Sequence, residues 1–492
     1  MRGYFTTART REAEAPLMDS LPDGTLMRRA AYGLARIAAR ELERHTGAVA
    51  GRRVGLLVGS GDNGGDALWA GTFLRRRGVA VTALLLSPGK EHAAGASALR
   101  RAGARFVDAT DPGAPDEFDL VLDGIVGISG RGPLRPRAAE LVAGLRAPIV
   151  AVDLPSGVDA DTGAVDGPSV DADVTVAFGV LKPVHALAAA RCGRVELVDI
   201  GLDPGEPSFA AYEPAEVGAL WPVPGPGDDK YSQGVVGVVA GSEGYPGAGV
   251  LCTGGAVTAT SGMVRYAGPD AKSIVAAWPE VIATPDLESA GRVQAWVVGP
   301  GAGTDDAAAD RLRAVLATDM PVVVDADGLT LLAREPALVT RRAAPTLLTP
   351  HAGEFARLTG EDVGADRVAA VTELARAWGV TVLLKGRATV VSDGEQALVN
   401  DAGASWSSTA GSGDVLSGIL GALVASGLRP LTAAGLGTRA HALAANLAAH
   451  GESDEASGGL GAAPVAAGAM LARLRDAVRV LRASAGARGD LA

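Results

Sequence analysis

Aromatic side chains are scarce in this chain, at 4%, while hydrophobic residues make up 48% of its 492 positions. Ala, Gly and Val must therefore do most of the packing, as they do in tight α/β layers. Cysteine is nearly absent. Cys192 and Cys252 lie far apart, with no Cys or His at metal-ligand spacing. That argues against a disulfide framework or a zinc site and points to a reducing cytoplasm. Positive charge is in deficit: the net charge is −11 and the pI about 5.2. Neither nucleic acid nor an anionic membrane is an expected partner. No long apolar run exists. The longest uncharged stretch, Gly244 to Val264, is rich in Gly, Thr and Ser, and reads as a loop plus a buried helix, not a membrane span. Met1 to Glu14 has no apolar core, so it does not read as a signal peptide. No Gly-x4-Gly-Lys-Ser/Thr occurs, which argues against P-loop chemistry.

What is present is an alternation of strand-like and helix-like stretches long enough for two domains. Residues 17–47 carry Leu26, Met27, Ala30, Leu34, Ile37, Ala38 and Leu42 near the helical period. A buried-type strand, Arg53 to Gly59, runs into Ser60-Gly61-Asp62-Asn63-Gly64-Gly65-Asp66, a helix from Ala67 to Arg77, and a second strand, Val79 to Leu86. This is a βαβ unit. Gly59-x-Gly61-x-x-Gly64 has dinucleotide spacing, but Leu84-Leu85-Leu86 stands where the acidic residue should follow. Asp62, Asn63 and Asp66 instead place hard oxygens in one tight turn, suited to a cation, to hydroxyls or to turn formation alone. Two later strands end in Asp123, before Gly127 to Pro133, and in Asp153, before Ser156 to Asp159. Strand ends of a parallel sheet share one edge, so the three loops converge. Lys182 follows another strand end, as a site cation or a solvated lysine.

A proline-rich stretch, Leu202 to Asp229, reads as a linker. A fresh α/β pattern follows: strand Val235 to Gly241, loop to Ala248, and a small-residue helix to about Tyr266. Next come strand Ala295 to Gly299 with Pro300-Gly301-Ala302-Gly303, and a strand ending in Asp325 and Asp327. Those two carboxylates could hold a cation–phosphate pair or cap a helix. His351 sits at a strand-to-helix junction beside Glu354. Lys385-Gly386-Arg387-Ala388-Thr389 leaves a strand for a turn, where Lys385 and Thr389 could reach a phosphate or simply meet solvent. Last comes Gly411-Ser412-Gly413-Asp414, a glycine-rich turn feeding a helix N-terminus. Such a turn favours phosphate. A carboxylate there would repel phosphate, so Asp414 fits a base for an attacking hydroxyl better.

The first-half motifs, Gly61 to Asp66, Asp123 with Gly127 to Pro133, and Asp153 to Asp159, resemble the NAD(P)H-hydrate epimerase family. The resemblance implies potassium at Asn63, Asp123 and Ser156. It implies hydrate contacts at Asp62, Asn63, Gly64, Gly65, Asp66, Gly127, Ile128, Ser129, Gly130, Arg131, Gly132, Pro133 and Asp153; of these, Asp153 is the expected acid/base group on our own reading. Asp62 stands where that family more often has Asn. The second-half motifs resemble the ADP-dependent NAD(P)H-hydrate dehydratase family. That resemblance implies hydrate contacts at Ala248, Gly303, His351 and Asp414, and adenine-nucleotide contacts at Lys385, Gly386, Arg387, Ala388, Thr389, Gly411, Ser412 and Gly413. Asp414 would be the catalytic base and magnesium would accompany the ADP.

The expectation is thus two three-layer α/β/α domains, 1–222 Rossmann-like and 228–484 ribokinase-like, in a cytoplasmic homo-oligomer. Together they would epimerise R and S hydrates and dehydrate the S form. The other reading is a vitamin or sugar kinase with a non-catalytic nucleotide-binding first domain.

Overall fold

The computed structural model describes residues 1–109, 111, 117–451 and 461–489. Contacts divide the chain into two compact units. One is Gly3–Ser208; the other is Phe209–Ala492 together with Met1–Arg2.

The first unit is built on β1 (Arg53–Val58), β2 (Ala80–Leu85), β3 (Arg105–Asp108), β4 (Leu120–Gly124), β5 (Ile149–Val152), β6 (Val174–Phe178) and β7 (Arg194–Val198). Their order is β3-β2-β1-β4-β5-β6-β7 and every pairing is parallel. The order reverses between β1 and β4, the place where open parallel sheets leave a crevice at their carboxyl edge. Helices α1 (Thr7–Ser20), α2 (Thr25–Thr46), α3 (Asp62–Arg75), α4 (Ala93–Arg101) and α5 (Pro136–Gly144) complete it. Alternation along the strands makes the layers. Leu56 and Leu122 pack on the side of α2 and α3, while Leu57 and Val121 pack on the side of Ala138 in α5. The single helix expected over 17–47 is two, because Pro22-Asp23-Gly24 interrupts it and Gly24 takes φ +71°.

The second unit carries β8 (Phe209–Ala211), β9 (Val235–Val239), β10 (Met263–Ala267), β11 (Ile282–Thr284), β12 (Ala295–Val298), β13 (Val322–Val324), β14 (Thr346–Leu348), β15 (Thr381–Leu384), β16 (Ala388–Ser392) and β17 (Ala397–Asp401). From β11 through β10, β9, β12, β13 and β14 to β15 the pairing is parallel; β16 and β17 then run antiparallel. Its helices include α6 (Pro214–Leu220), α7 (Pro246–Ala259), α8 (Ala352–Thr359), α9 (Ser412–Ala425), α10 (Pro430–His450) and α11 (Ala467–Gly489). Val236, Val238, Val297, Val323 and Leu383 form one core with α7, α9, α10 and α11. Both units are therefore the three-layer α/β/α sandwiches expected, Rossmann-like and ribokinase-like.

Two expectations fail here. The proline-rich stretch is not all linker: it holds β8 and α6, and the contacts divide inside it, between Ser208 and Phe209. Pro214 opens α6, where its missing N–H costs nothing, and Glu213 with Glu216 forms a capping box. Val217 and Trp221 then enter the second unit's core. The helix expected to reach Tyr266 stops at Ala259, and Val264 and Tyr266 turn inward as alternate residues of β10.

Candidate active sites

In the first unit, α3 starts at Asp62, so Asp62 to Asp66 form its first turns instead of the open turn expected. Close approach of backbone explains the glycines. A Cβ at Gly64 would lie 2.3 Å from the Gly59 carbonyl oxygen, and one at Gly127 would lie 2.0 Å from Asn63 Oδ1. Asn63, buried, donates through Nδ2 to the Val152 carbonyl. Asp123, at the end of β4, is fully buried. It accepts from Ser156 N at 2.8 Å, Ser156 Oγ at 2.7 Å and Ile125 N at 3.2 Å. Ser156 Oγ in turn accepts from Val126 N at 3.1 Å. Asn63, Asp123 and Ser156 thus converge on one loop, 125–127. Burial pushes the Asp123 carboxyl up to about 6, against the bonds from Ser156 that favour its charge.

Asp153 ends β5 with φ +67°, one of two non-glycine residues with positive φ among the described residues, the other being Ala326. Its Oδ1 accepts from Lys182 Nζ at 2.6 Å and from Phe178 N at 3.0 Å. Lys182 is 1% exposed and also donates to the Phe178 carbonyl. It is a buried ion-pair partner, not a solvated lysine. His185 Nδ1 accepts from Lys182 N, which leaves Nε2 carrying the proton and donating to the Asp153 carbonyl at 2.8 Å. Burial and the neighbouring ammonium lower His185 to about 4, so this ring is neutral. Beside these lies a cavity of about 320 Å³ lined by Glu14, Leu17, Met27, Asp62, Asp66, His92 and Phe178, among others. The 127–133 loop is held by Gly130 N donating to the Gly127 carbonyl, with φ +75° at Gly132 and Arg11 donating to Ser129 Oγ at 2.9 Å. Ile128 packs on the Leu154 cluster, Arg131 is exposed, and Pro133 packs against Gly167.

In the second unit, Gly411 takes φ +84° and caps α9, and Asp414 sits in the first turn, half-buried. A Cβ at Gly413 would stand 3.5 Å from Lys385 Nζ and 3.9 Å from Asp325 Oδ2. Lys385 Nζ pairs with Asp325 Oδ1 at 2.6 Å and approaches Glu354 at 3.8 Å. Ser417 Oγ donates to Asp325 Oδ2 at 2.6 Å. Burial raises Asp414 to about 7, helped by the Asp325 charge and opposed by Lys385. Burial alone would lower Lys385, but Asp325 and Glu354 outweigh it and the ammonium is raised. Asp325 therefore works against the ammonium and Ser417, not as a helix cap. Asp327 Oδ2 accepts from Gly303 N at 2.9 Å and fixes the β12 loop. Ala248 packs against Gly301 in the same loop.

His351 caps α8. Its Nδ1 accepts from Gly353 N and Glu354 N, and Glu354 returns a bond to its backbone N–H. The side chain is otherwise half exposed, at 54%. Gly386 and Arg387 form the β15–β16 turn, whereas Ala388 and Thr389 begin β16. Arg387 pairs with Asp401 at 3.2 Å, and Thr389 Oγ1 donates to the Gly386 carbonyl at 2.9 Å. Ser412 Oγ donates to the Ser407 carbonyl. His441 Nε2 meets the Ser412 carbonyl at 2.9 Å, and burial lowers its ring to about 4.

Sequence reading missed Ser417, Glu14, His185 and His441. Two had a signal in spacing: Ser417 lies three positions after Asp414 on one helix face, and His185 three after Lys182. Glu14 and His441 had none.

Comparison with known proteins gives the family of the chain. Residues 236–459 match the NAD(P)H-hydrate dehydratase family profile, and residues 23–184 match that of the YjeF-related protein N-terminus. The chain is 61% identical over 432 residues to the bifunctional NAD(P)H-hydrate repair enzyme Nnr of Mycobacterium tuberculosis, covering 87% of this chain and 90% of that one. It is 56% identical over 485 residues to the Mycobacterium leprae enzyme of the same name, covering 98% and 100%. The Escherichia coli enzyme of that name is 34% identical over 421 residues, covering 80% of each. Among solved structures, an ADP/ATP-dependent NAD(P)H-hydrate dehydratase from Bacillus subtilis, co-crystallised with ATP and magnesium, aligns with TM-score 0.47 at 24% identity, over 55% of this chain and 99% of that one. The chain belongs to the family of bifunctional NAD(P)H-hydrate repair enzymes.

Proposed function

We propose that the first unit interconverts the R and S hydrates of NADH and NADPH, and that the second dehydrates the S form at the expense of ADP. The observation that carries the second half is Asp414, a carboxyl raised to about 7 in the first turn of α9, beside the Lys385–Asp325 pair. A base poised near neutrality is what an attacking hydroxyl needs. Asp414 takes the hydroxyl proton as the hydroxyl oxygen attacks the β-phosphorus of ADP, and AMP leaves. Backbone N–H groups at Gly411 to Gly413 face the developing charge; one such donor is typically worth about 2.7–4 kcal/mol. The ring nitrogen then pushes out phosphate, a neighbouring carbon loses its proton, and NAD(P)H results. Lys385 is the cation nearest this turn and is assigned to the nucleotide phosphates. Magnesium belongs with those phosphates, where it neutralises charge.

In the first unit we assign potassium to Asn63, Asp123 and Ser156. The fit rests on Asp123: a fully buried carboxylate whose hydrogen-bond partners are neutral, beside the oxygens of Asn63 and Ser156. Potassium would offset that buried charge and hold the loop. Asp153, locked by Lys182 and His185, is the acid/base group. We further assign the chain to the cytoplasm as a homo-oligomer, an assembly that light scattering would check.

The deciding experiment follows reduced-nicotinamide absorbance from mixed R and S hydrate with ADP, magnesium and potassium. Full recovery, faster than spontaneous epimerisation allows, is expected. A fast phase that stalls with R hydrate unconsumed would remove the first activity from the proposal. No recovery with ADP or ATP would remove the second and turn the reading to a kinase.

A further inference from the structure

Four carboxyl groups, Glu14, Asp23, Asp62 and Asp66, line the cavity of the first unit, a fifth, Asp153, stands near enough to act on Asp66, and they are not equivalent. Asp153 has a cation, Lys182, at 2.6 Å. Glu14 on α1, and Asp62 and Asp66 on α3, line the cavity wall. Asp66 is the buried one, 6% exposed, and its Oδ1 lacks any hydrogen-bond partner. The charged groups that act on it are Asp153, Asp62, Glu14 and, with opposite sign, Lys182. Asp23, ahead of α2, and His92, the N-cap of α4, are the other titratable residues of the wall, and His92 Nδ1 accepts from Gly95 N at 3.1 Å.

A buried carboxyl among three others, with the nearby ammonium of Lys182 already paired to Asp153, binds its proton more tightly than a free carboxyl does. Burial first, then the charges of Asp153, Asp62 and Glu14, hold Asp66 well above the usual carboxylate range. A carboxyl that holds its proton tightly, near a carboxylate paired with an ammonium, is a standard acid/base arrangement. Asp66 belongs to the run already assigned to hydrate contacts, but that assignment says nothing of what it does there.

We propose that Asp66 is the proton donor of the epimerisation, acting opposite Asp153 as the base. The inference rests on the epimerase reading of this unit. The hydrated ring bears its hydroxyl on the carbon next to the ring nitrogen, so inversion requires one bond to that carbon to break and re-form. Asp153 takes the hydroxyl proton as the carbon–oxygen double bond forms. The carbon–nitrogen bond breaks and its electron pair goes to the ring nitrogen, which takes the proton from Asp66. Rotation about the adjacent carbon–carbon bond presents the other face of the aldehyde. Closure re-forms the carbon–nitrogen bond, returns the nitrogen's proton to Asp66 and gives the hydroxyl back the proton held by Asp153. No outside reagent is needed.

The test measures interconversion of separated R and S hydrates by chromatography on the full chain, with no ADP present. In the parent, kcat should fall as pH rises through the Asp66 titration, because the donor acts protonated. Asp66→Asn should lower kcat at least ~100-fold, change KM by less than about threefold, and erase that basic limb. Asp66→Glu should keep part of the rate and move the limb. A purely structural role would lower the unfolding temperature and leave the limb in place. Epimerisation by Asp66→Asn within threefold of the parent overturns the proposal, as does a loss confined to KM. Should the Asn variant fail to fold, a parent pH profile without a basic limb overturns it equally. A parent that does not interconvert hydrates at all would instead sink the epimerase reading.

Discussion

Asp414 carries two measurable consequences. As the base it must be ionised, so dehydration should fall as pH drops below about 7, and Asp414→Asn should cost at least ~100-fold in rate while epimerisation persists. The sign for stability is opposite. A carboxyl at about 7 in the folded chain and near its ordinary value when unfolded binds more protons folded than unfolded between those values. Its contribution to stability therefore declines as pH rises through that window and stays lost above it. Asp414→Asn should melt higher than the parent at about pH 8 and not at about pH 4, as calorimetry would show. Asp414, His351 and Lys385 stood out because each sits in a short glycine-containing motif beside an apolar run. Ser417 and His185 had only a spacing signal, and His441 had none. What each does is decided by a partner that folding brings near: Asp325 across 92 positions for Ser417, and Ser412 across 29 for His441.

At the scale of elements, the placement of Asp414 depends on α7 and α9 touching backbone to backbone. A Cβ at Gly255 would stand 2.2 Å from the Val415 carbonyl oxygen, and one at Gly418 would stand 1.9 Å from that of Cys252. Gly418→Ala should therefore destabilise the second unit by about 1–3 kcal/mol and lower dehydration, read by denaturant midpoint and kcat together. The sequence showed α7 as rich in small residues, which let either a substrate or a neighbouring helix come close, and α9 is the helix that does. In the first unit, the 125–127 loop joins three strand ends. Removing potassium, or substituting Ser156→Ala, should lower the unfolding temperature of that unit and weaken hydrate binding, seen by calorimetry in sodium against potassium. Convergence of Asn63, Asp123 and Ser156 followed from parallel strands ending together. The helical start at Asp62 did not, because Gly64 and Gly65 depress helix propensity locally and only tertiary contact with Gly59 and Met27 selects it. Likewise α6 hid among prolines, one of which was its first residue.

For the whole molecule, two compact units predict two thermal transitions. ADP at about 100 times its Kd should raise the apparent stability of the unit that binds it by about 2.7 kcal/mol and leave the other transition in place. Movement of both would contradict a nucleotide site confined to the second unit. Among the described residues no helix is long and apolar enough to cross a membrane. Fold class was readable at this scale because parallel strands buried on both faces appear as uninterrupted Val, Leu and Ile runs. The junction was not, since it is fixed by where Val217 and Trp221 are buried and not by proline content.

The left-handed backbone at Asp153 narrows what can stand there. Aspartate and asparagine accept that conformation far more readily than other residues with a side chain. A position that needs both a carboxylate and φ +67° has aspartate as its only short solution. Alanine there would remove the chemistry and strain the chain at once, so its effect could not be assigned to either. Asparagine keeps the backbone and a carbonyl oxygen for Lys182, and takes away the proton acceptor together with the counter-charge of the buried ammonium.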